Sequence, residues 1–545
     1  MNLVALLLLG GAAPSPPAFP QSSPTPQVRE VLRKLRPHFM LGVASGPGDR
    51  WIEETRAQGC RWDMRYLYLA GGVNTGNKWY AGGFVANYIR ESERLGAIPV
   101  FPWYMIYQSR PAGGTGDEKR AVHANAQNAE TMRAYFSDIQ SFMKEAGATG
   151  KTAILHVEPD MWGYFLIYPD TDADKAPVQV RSTGLPELAK FEDTLAGFGK
   201  AITAYRDQLA PNVLLAFHAS KWGDPNPRAF ADAIRKCGKW DLIFTDPSDR
   251  DAAWKVAHNY LAGGAWWKDA DFASFRDWSG RLHEMTGLPL VAWQIPMGNT
   301  VMASCDNTEG HFMDNRPEYF LENYPANRHI AEWAARGYIG LLFGGGARGC
   351  TDVRDTCRDG VTNPPPVAGN RGEKAVFPDD DGGYLRLRGG NYYLKGPLPL
   401  LGPARAPEPA AHPAPREEPG PRKAAGPEAV AARDARLRDR LREELQAGRR
   451  PSFQWTATGS WTEVAELTPR DELRLQGSAG GATLSWSSLG LPDRRNLALA
   501  LVRPGRAEDH ALAAFYLLAC GEEERAKPHL EKAGGLADEV RAAFR

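Results

Sequence analysis

The sequence predicts an α/β protein: a (β/α)8 TIM-like barrel over residues 37–400, then a small C-terminal α+β module over 429–545. Three observations carry this. Apolar, β-rich runs recur eight times in the first region, amphipathic helical patterns lie between them, and a Pro/Ala-rich stretch at 404–428 separates the two regions as a semi-rigid linker. Continuous apolar runs suit parallel strands covered on both faces. Eight of them alternating with helices favour a closed barrel over an open sheet.

The elements follow in order. Residues 1–26 read as a signal peptide and Pro/Ser-rich leader, because the apolar run 3–9 is too short to span a bilayer and small residues follow it. The cleavable part covers residue 1 to about 13–20, so the expected location is secreted or extracytoplasmic, with no transmembrane span. Strand patterns lie at 39–44, 61–69, 98–107, 152–158, 212–218, 241–246, 289–295 and 338–343. The clearest helical stripe runs Leu188, Phe191, Leu195, Phe198, Ile202, Tyr205, Leu209, in steps of three and four. Others start at Phe84, Met132 and Phe272. No evident helix follows the last strand, which leaves a distorted or seven-stranded barrel open. In the C-terminal module a charged helix (429–447) precedes a Trp-bearing β segment (Trp455, Trp461, Trp486). The closing hairpin, Leu497–Leu501 with Ala511–Ala533, is similar to one tetratricopeptide repeat. That module reads as a packing or interaction unit, so a protein partner for it is left open.

Lys+Arg and Asp+Glu both number 65 in 545 residues, so no basic excess marks a nucleic-acid partner. Hydrophobic residues reach 43%, enough for a large core. Six Cys are too few for a disulfide scaffold, although Cys350 and Cys357 could close a small loop. No CxxC or HxxxH pair signals zinc, and no cofactor motif occurs, so metal and cofactor are both expected to be absent. Asp379-Asp380-Asp381-Gly382-Gly383 reads as a solvated hairpin turn.

In such barrels the chemistry sits at the C-terminal strand ends. The polar residues there are Asp63, Tyr104, His156, Glu158, Asp160, Trp162, His218, Trp222, Asp246, Trp293, Gln294 and, beyond the last strand, Asp352. Acids, aromatics and a His converge without a Ser-Lys or Cys-His pair. That set suits glycosidic cleavage, in which one carboxylic acid protonates the leaving oxygen and a second carboxylate acts as base or nucleophile. Asp160, Glu158 and Asp246 are the catalytic candidates. Asp63, Tyr104, Trp162, His218, Trp222, Trp293, Gln294 and Asp352 are the substrate-binding ones. Long loops at 109–125 and 298–324 are placed to shape a cleft.

The segment His156-Val157-Glu158-Pro159-Asp160 resembles the acid-bearing strand of glycoside hydrolase family 6, inverting β-1,4-glucanases on a distorted barrel. The resemblance implies Asp160 as general acid. His218-Ala219 followed by Trp222 is similar to a second segment of that family, although Leu215 stands where the family has Asp. A rival likeness is to the retaining barrels with a Glu on strand four and a Glu on strand seven. Glu158 fits the first, but Gln294 occupies the nucleophile's place and cannot form the covalent intermediate. The reading is therefore a secreted glycoside hydrolase acting on a β-linked polysaccharide or oligosaccharide, a β-glucan such as cellulose, with inversion favoured. Inversion requires carboxyl groups roughly 6.5–9.5 Å apart, and a gap near 5 Å contradicts it. The alternatives are a non-catalytic carbohydrate-binding barrel and an envelope interaction protein.

Overall fold

The computed structural model describes residues 24–401, apart from 115, 168–171, 223–225 and 261–263, and residues 427–544, apart from 455–460, 470, 478, 479, 487, 488, 504 and 521. The expected leader up to residue 23, the linker up to 426 and Trp455 lie outside the described residues. The chain divides into two compact units, Met1–Arg405 and Ala406–Arg545.

The first unit is a closed barrel of eight parallel staves. Its strands are β1 (Met40–Ala44), β2 (Met64–Tyr66), β3 (Leu69–Ala70), β4 (Ile98–Tyr104), β5 (Ala153–Val157), β6 (Val213–His218), β7 (Leu242–Thr245), β8 (Leu290–Ile295) and β9 (Tyr338–Phe343). β2 and β3 are two pieces of one stave, since both pair in parallel with β4. The ring closes where β1 pairs with β9 on one side and β2 on the other. Every residue of β5 to β9 is buried, as continuous apolar runs between a filled barrel interior and covering helices require.

The expected helices form at Phe84–Arg94, Ala129–Ala148 and Asp269–Thr286. The stripe from Leu188 breaks in two. Pro186–Leu188 is a 3-10 turn, and the helix proper is Leu195–Leu209, started by Thr194, whose hydroxyl accepts from the Gly197 N–H at 3.1 Å. A helix does follow the last strand, Tyr384–Lys395, after a long excursion from β9. The Tyr392 hydroxyl donates to the Phe39 carbonyl at 2.6 Å, which docks this helix at the base of β1. Arg and Gly within it hide the apolar stripe. The helix Pro26–Lys34 also joins the barrel core through Val28, Val31 and Leu32.

Asp379, Asp380 and Asp381 are buried, so the expected solvated turn is instead an internal joint. Asp379 pairs with Arg386 at 2.7 Å and accepts from the Trp51 indole at 3.1 Å. Asp381 accepts from the Gly383 and Leu385 N–H groups, starting the last barrel helix. All six cysteines are free, so the Cys350–Cys357 loop closure does not occur.

The second unit places an antiparallel sheet of four strands, β10 (Ser452–Gln454), β11 (Trp461–Leu467), β12 (Glu472–Gly477) and β13 (Gly480–Ser485), with the helix Pro427–Gln446 and the helices Leu491–Ala500, Ala507–Ala519 and Glu523–Ala533. Trp486 lies in that core with Leu437, Phe453 and Phe515, not on a ligand-facing surface. A buried Arg440–Asp509 pair at 2.6 Å ties the first helix to the hairpin.

Candidate active site

A cleft of about 1000 Å³ opens at the C-terminal ends of the staves. Tyr104 from β4, Asp160 after β5, Asp246 after β7, Gln294 from β8 and Gly346 after β9 all line it, together with Tyr68 from the break between β2 and β3.

Backbone strain aims several of these groups. Glu158, Asp160 and Gln294 adopt positive φ of 45°, 72° and 58° at the ends of β5 and β8. Non-glycine residues hold such angles only where packing over-determines them. Asp160 stands at the N-cap position of the helix Met161–Leu166, yet its carboxylate makes no capping bond. It faces the cleft instead. A carboxylate oxygen of Asp160, one of Asp246 and a ring nitrogen of His218 lie within 4.8 Å of one another. The nearest oxygens of the two carboxylates thus approach closely, which leaves little room for a water held between them.

Burial holds the Asp160 carboxyl well above its ordinary range, and the negative charges of Asp246 and Glu118 add to the effect against a smaller opposing pull from Arg250. Glu118 is likewise raised by burial, while accepting hydrogen bonds from the Tyr104 and Tyr164 hydroxyls. Burial also pushes the cleft amine Lys255 down to about 8, helped by the nearby Arg316 charge.

Asp246 rests against a buried histidine pair. His156 Nε2 and His218 Nδ1 are 3.0 Å apart, His218 Nε2 bonds Ser220 Oγ at 2.7 Å, and the same nitrogen lies 3.3 Å from Asp246 Oδ1. His218 Nε2 is thus already engaged by Ser220 and lies beside Asp246.

Trp222 is 44% exposed and presents its ring to the cleft, 5.0 Å between centroids from Tyr164. Its indole lies over Gly163, where a Cβ would come within 2.7 Å of the ring. Gln294 Nε2 donates to the Tyr68 hydroxyl at 2.9 Å. Asp160, Asp246, Tyr104, Trp222 and Gln294 are therefore brought together as expected.

Six expected site residues are not in the cleft lining. Glu158 is buried beneath it, its carboxylate accepting from the Met105 and Ile106 N–H groups at 3.1 and 3.3 Å. The strained backbone turns it inward, so it is a structural acid rather than a proton donor to substrate. Asp63 precedes β2 and so sits at the opposite end of the barrel, bound to His38, the Leu41 N–H and the Tyr393 hydroxyl. Trp162 is fully buried, its indole donating to the Val157 carbonyl at 2.9 Å and its ring packed on Phe217. Trp293 is buried against Tyr68, His156 and His218. His218 is buried and contacts Asp246 rather than open space. Asp352 pairs with Arg354 at 2.9 Å.

The cleft also holds residues that strand-end reasoning missed: Glu118, Tyr164, Arg250, Tyr260 and Trp267. They come from loops and short helices, where spacing carries no signal. The loop at 109–125, expected to shape the cleft, does supply Glu118. From the loop at 298–324, Arg316 stacks over the Trp267 ring at 4.6 Å and pairs with buried Asp314 at 2.7 Å, which fixes that cleft wall from behind.

No protein-family model and no curated protein matches the chain. Among solved structures, an endo-β-1,4-mannanase double mutant of Cellulomonas fimi is similar at 13% identity, covering 67% of this chain and 75% of that one, with a TM-score of 0.38. A family 1 β-glucosidase of Thermotoga maritima matches at 10% identity over 57% of this chain and 89% of that one, TM-score 0.32. A D-psicose 3-epimerase of Clostridium cellulolyticum H10 matches at 9% identity over 65% and 99%, TM-score 0.30. The likeness to glycoside hydrolase family 6 finds no support among these comparisons. A barrel hosts many chemistries, so the activity has to be read from the cleft.

Proposed function

We propose that the barrel is a glycoside hydrolase, with Asp160 as proton donor and Asp246 as its carboxylate partner. The observation that carries this is the convergence of the two acids inside an aromatic-lined cleft, with the Asp160 carboxyl raised by burial and by its acidic neighbours. A raised acid beside a second carboxylate is the arrangement that lets one donate a proton while the other remains an anion. Their closeness supports retention, with Asp246 as nucleophile, over inversion. The substrate we infer is a β-linked polysaccharide or oligosaccharide, whose flat apolar ring faces suit Trp222 and Tyr164. Secretion rests on the apolar run 3–9 and is checked by sequencing the N-terminus of the exported protein.

The test is a reducing-sugar assay on a panel of polysaccharides, with Asp160→Asn, Asp246→Asn and Glu158→Gln beside the wild type. The first two abolish release of reducing ends, while folded Glu158→Gln retains it. Binding of a glycan by the wild type without release of reducing ends would select the non-catalytic barrel instead.

A further inference from the structure

Two long loops, 298–324 and 344–383, meet outside the cleft at a second group of side chains with metal-ligand chemistry. A ring nitrogen of His311, the Cys357 thiol sulfur and a carboxylate oxygen of Asp380 lie within 4.8 Å of one another, and carboxylate oxygens of Asp355, Asp359 and Asp380 do the same. None of these residues lines the cleft.

His311 is only 6% exposed. Its Nδ1 lies 2.9 Å from the Asp380 carbonyl, which only accepts, so Nδ1 is the donor there. The other nitrogen stands 3.0 Å from Asp359 Oδ2. That nitrogen and the Asp359 carboxylate can be joined by a ring proton or by a shared metal ion. An N–H bonded to a backbone carbonyl is also the support that metal-bound imidazoles use. Zinc ligands at 2.0–2.1 Å in tetrahedral geometry stand roughly 3.3 Å apart, inside the 4.8 Å limit within which the His311, Cys357 and Asp380 donors lie. Among the described residues, no Lys or Arg forms an ion pair with Asp355, Asp359 or Asp380.

We propose that His311, Cys357, Asp359 and Asp380 form a structural Zn²⁺ site that pins the two rim loops to each other. Imidazole and thiolate donors suit zinc, whereas calcium takes oxygen ligands. Binding releases the Cys357 thiol proton to solvent. The ligands lie in three separate chain segments, so spacing rules for zinc could not find them. The site is independent of the reading of the cleft.

The test uses the full chain, purified under reductant, stripped with chelator and titrated with Zn²⁺ by calorimetry, then with Co²⁺ by absorption. One equivalent of Zn²⁺ binds, and Co²⁺ gives a thiolate charge-transfer band. His311→Gln, Cys357→Ser and Asp359→Asn each weaken binding at least about tenfold, and Cys357→Ser removes the band. Cys357 and Asp359 are exposed enough to be substituted without loss of fold. The proposal is overturned by absence of stoichiometric Zn²⁺ binding, by unchanged binding in the Cys357 and Asp359 variants, by binding of Ca²⁺ in preference to Zn²⁺, or by a Cys350–Cys357 disulfide in the protein as isolated.

Discussion

A carboxylate oxygen of Asp160 lies within 4.8 Å of one on Asp246, although the two residues come from different staves of the barrel. Burial first, and the nearby Asp246 charge second, hold the Asp160 proton above the ordinary range. The first prediction concerns pH. A general acid works while protonated, so kcat/KM falls as pH rises through the raised value of Asp160. Asp160→Asn loses on the order of 10²–10⁴-fold and with it the alkaline limb. Rate profiles of both proteins on a natural glycan decide this; an alkaline limb that survives in the variant assigns it to another group.

If Asp246 is the nucleophile, Asp246→Gly has no group to attack the sugar. Azide then restores turnover on an activated aryl glycoside and yields a glycosyl azide of opposite anomeric configuration. NMR of the product reads the outcome, and failure of rescue in a folded variant argues against covalent catalysis by Asp246.

Trp222 is an exposed aromatic of the cleft, resting over Gly163 beside Tyr164. Its loss removes a stacking face but touches neither acid. Trp222→Ala raises KM by roughly 2- to 12-fold, the equivalent of about 0.5–1.5 kcal/mol, with kcat little changed. Steady-state kinetics measure the split.

Glu158 makes its contribution to stability. Burial pushes its carboxyl from the ordinary 4.5 up to about 8, against the opposing Met105 and Ile106 N–H bonds. The native state therefore favours the neutral acid, while the unfolded chain ionises above about 4.5. Its stabilising effect is full below that value, declines as pH rises and is gone above about 8. Wild-type Tm consequently falls across this range relative to Glu158→Gln, which stays neutral. Asp251, pushed up to about 7 by burial and by Asp314, tilts both proteins the same way, so the difference between them is the reading.

Trp162 fills the barrel wall between Phe198, Phe217 and Trp240. Trp162→Ala leaves a cavity there and costs about 3–5 kcal/mol in urea unfolding of the barrel. A loss near zero, with weaker substrate binding, would return this residue to the cleft.

Much of the barrel was legible from residue pattern. Leu214, Leu215, Ala216 and Phe217 can only be a strand covered on both faces, and the same holds for β8 and β9. Strand ends then pointed to Asp160, Asp246, Tyr104, Trp222 and Gln294. Pattern failed where a side chain's direction depends on one dihedral. Glu158 and Asp160 are two residues apart, yet positive φ at both sends one carboxylate to buried amides and the other to the cleft. It failed as well for Asp63, because the expected strand 61–69 begins only at Met64, which leaves Asp63 before its N-terminal end.

What the sequence determined by itself is the run of eight staves, since burying apolar segments on both faces depends only on their local composition. The tertiary structure decided which acids meet. Glu118 at the start of the helix Glu118–Ala126, Asp160 after β5 and Asp246 after β7 are far apart in the chain, and only ring closure, with the strained turn at Asp160, gathers them in one cleft. Charge interactions act through space, and distance through space is the quantity that a linear order of residues does not contain.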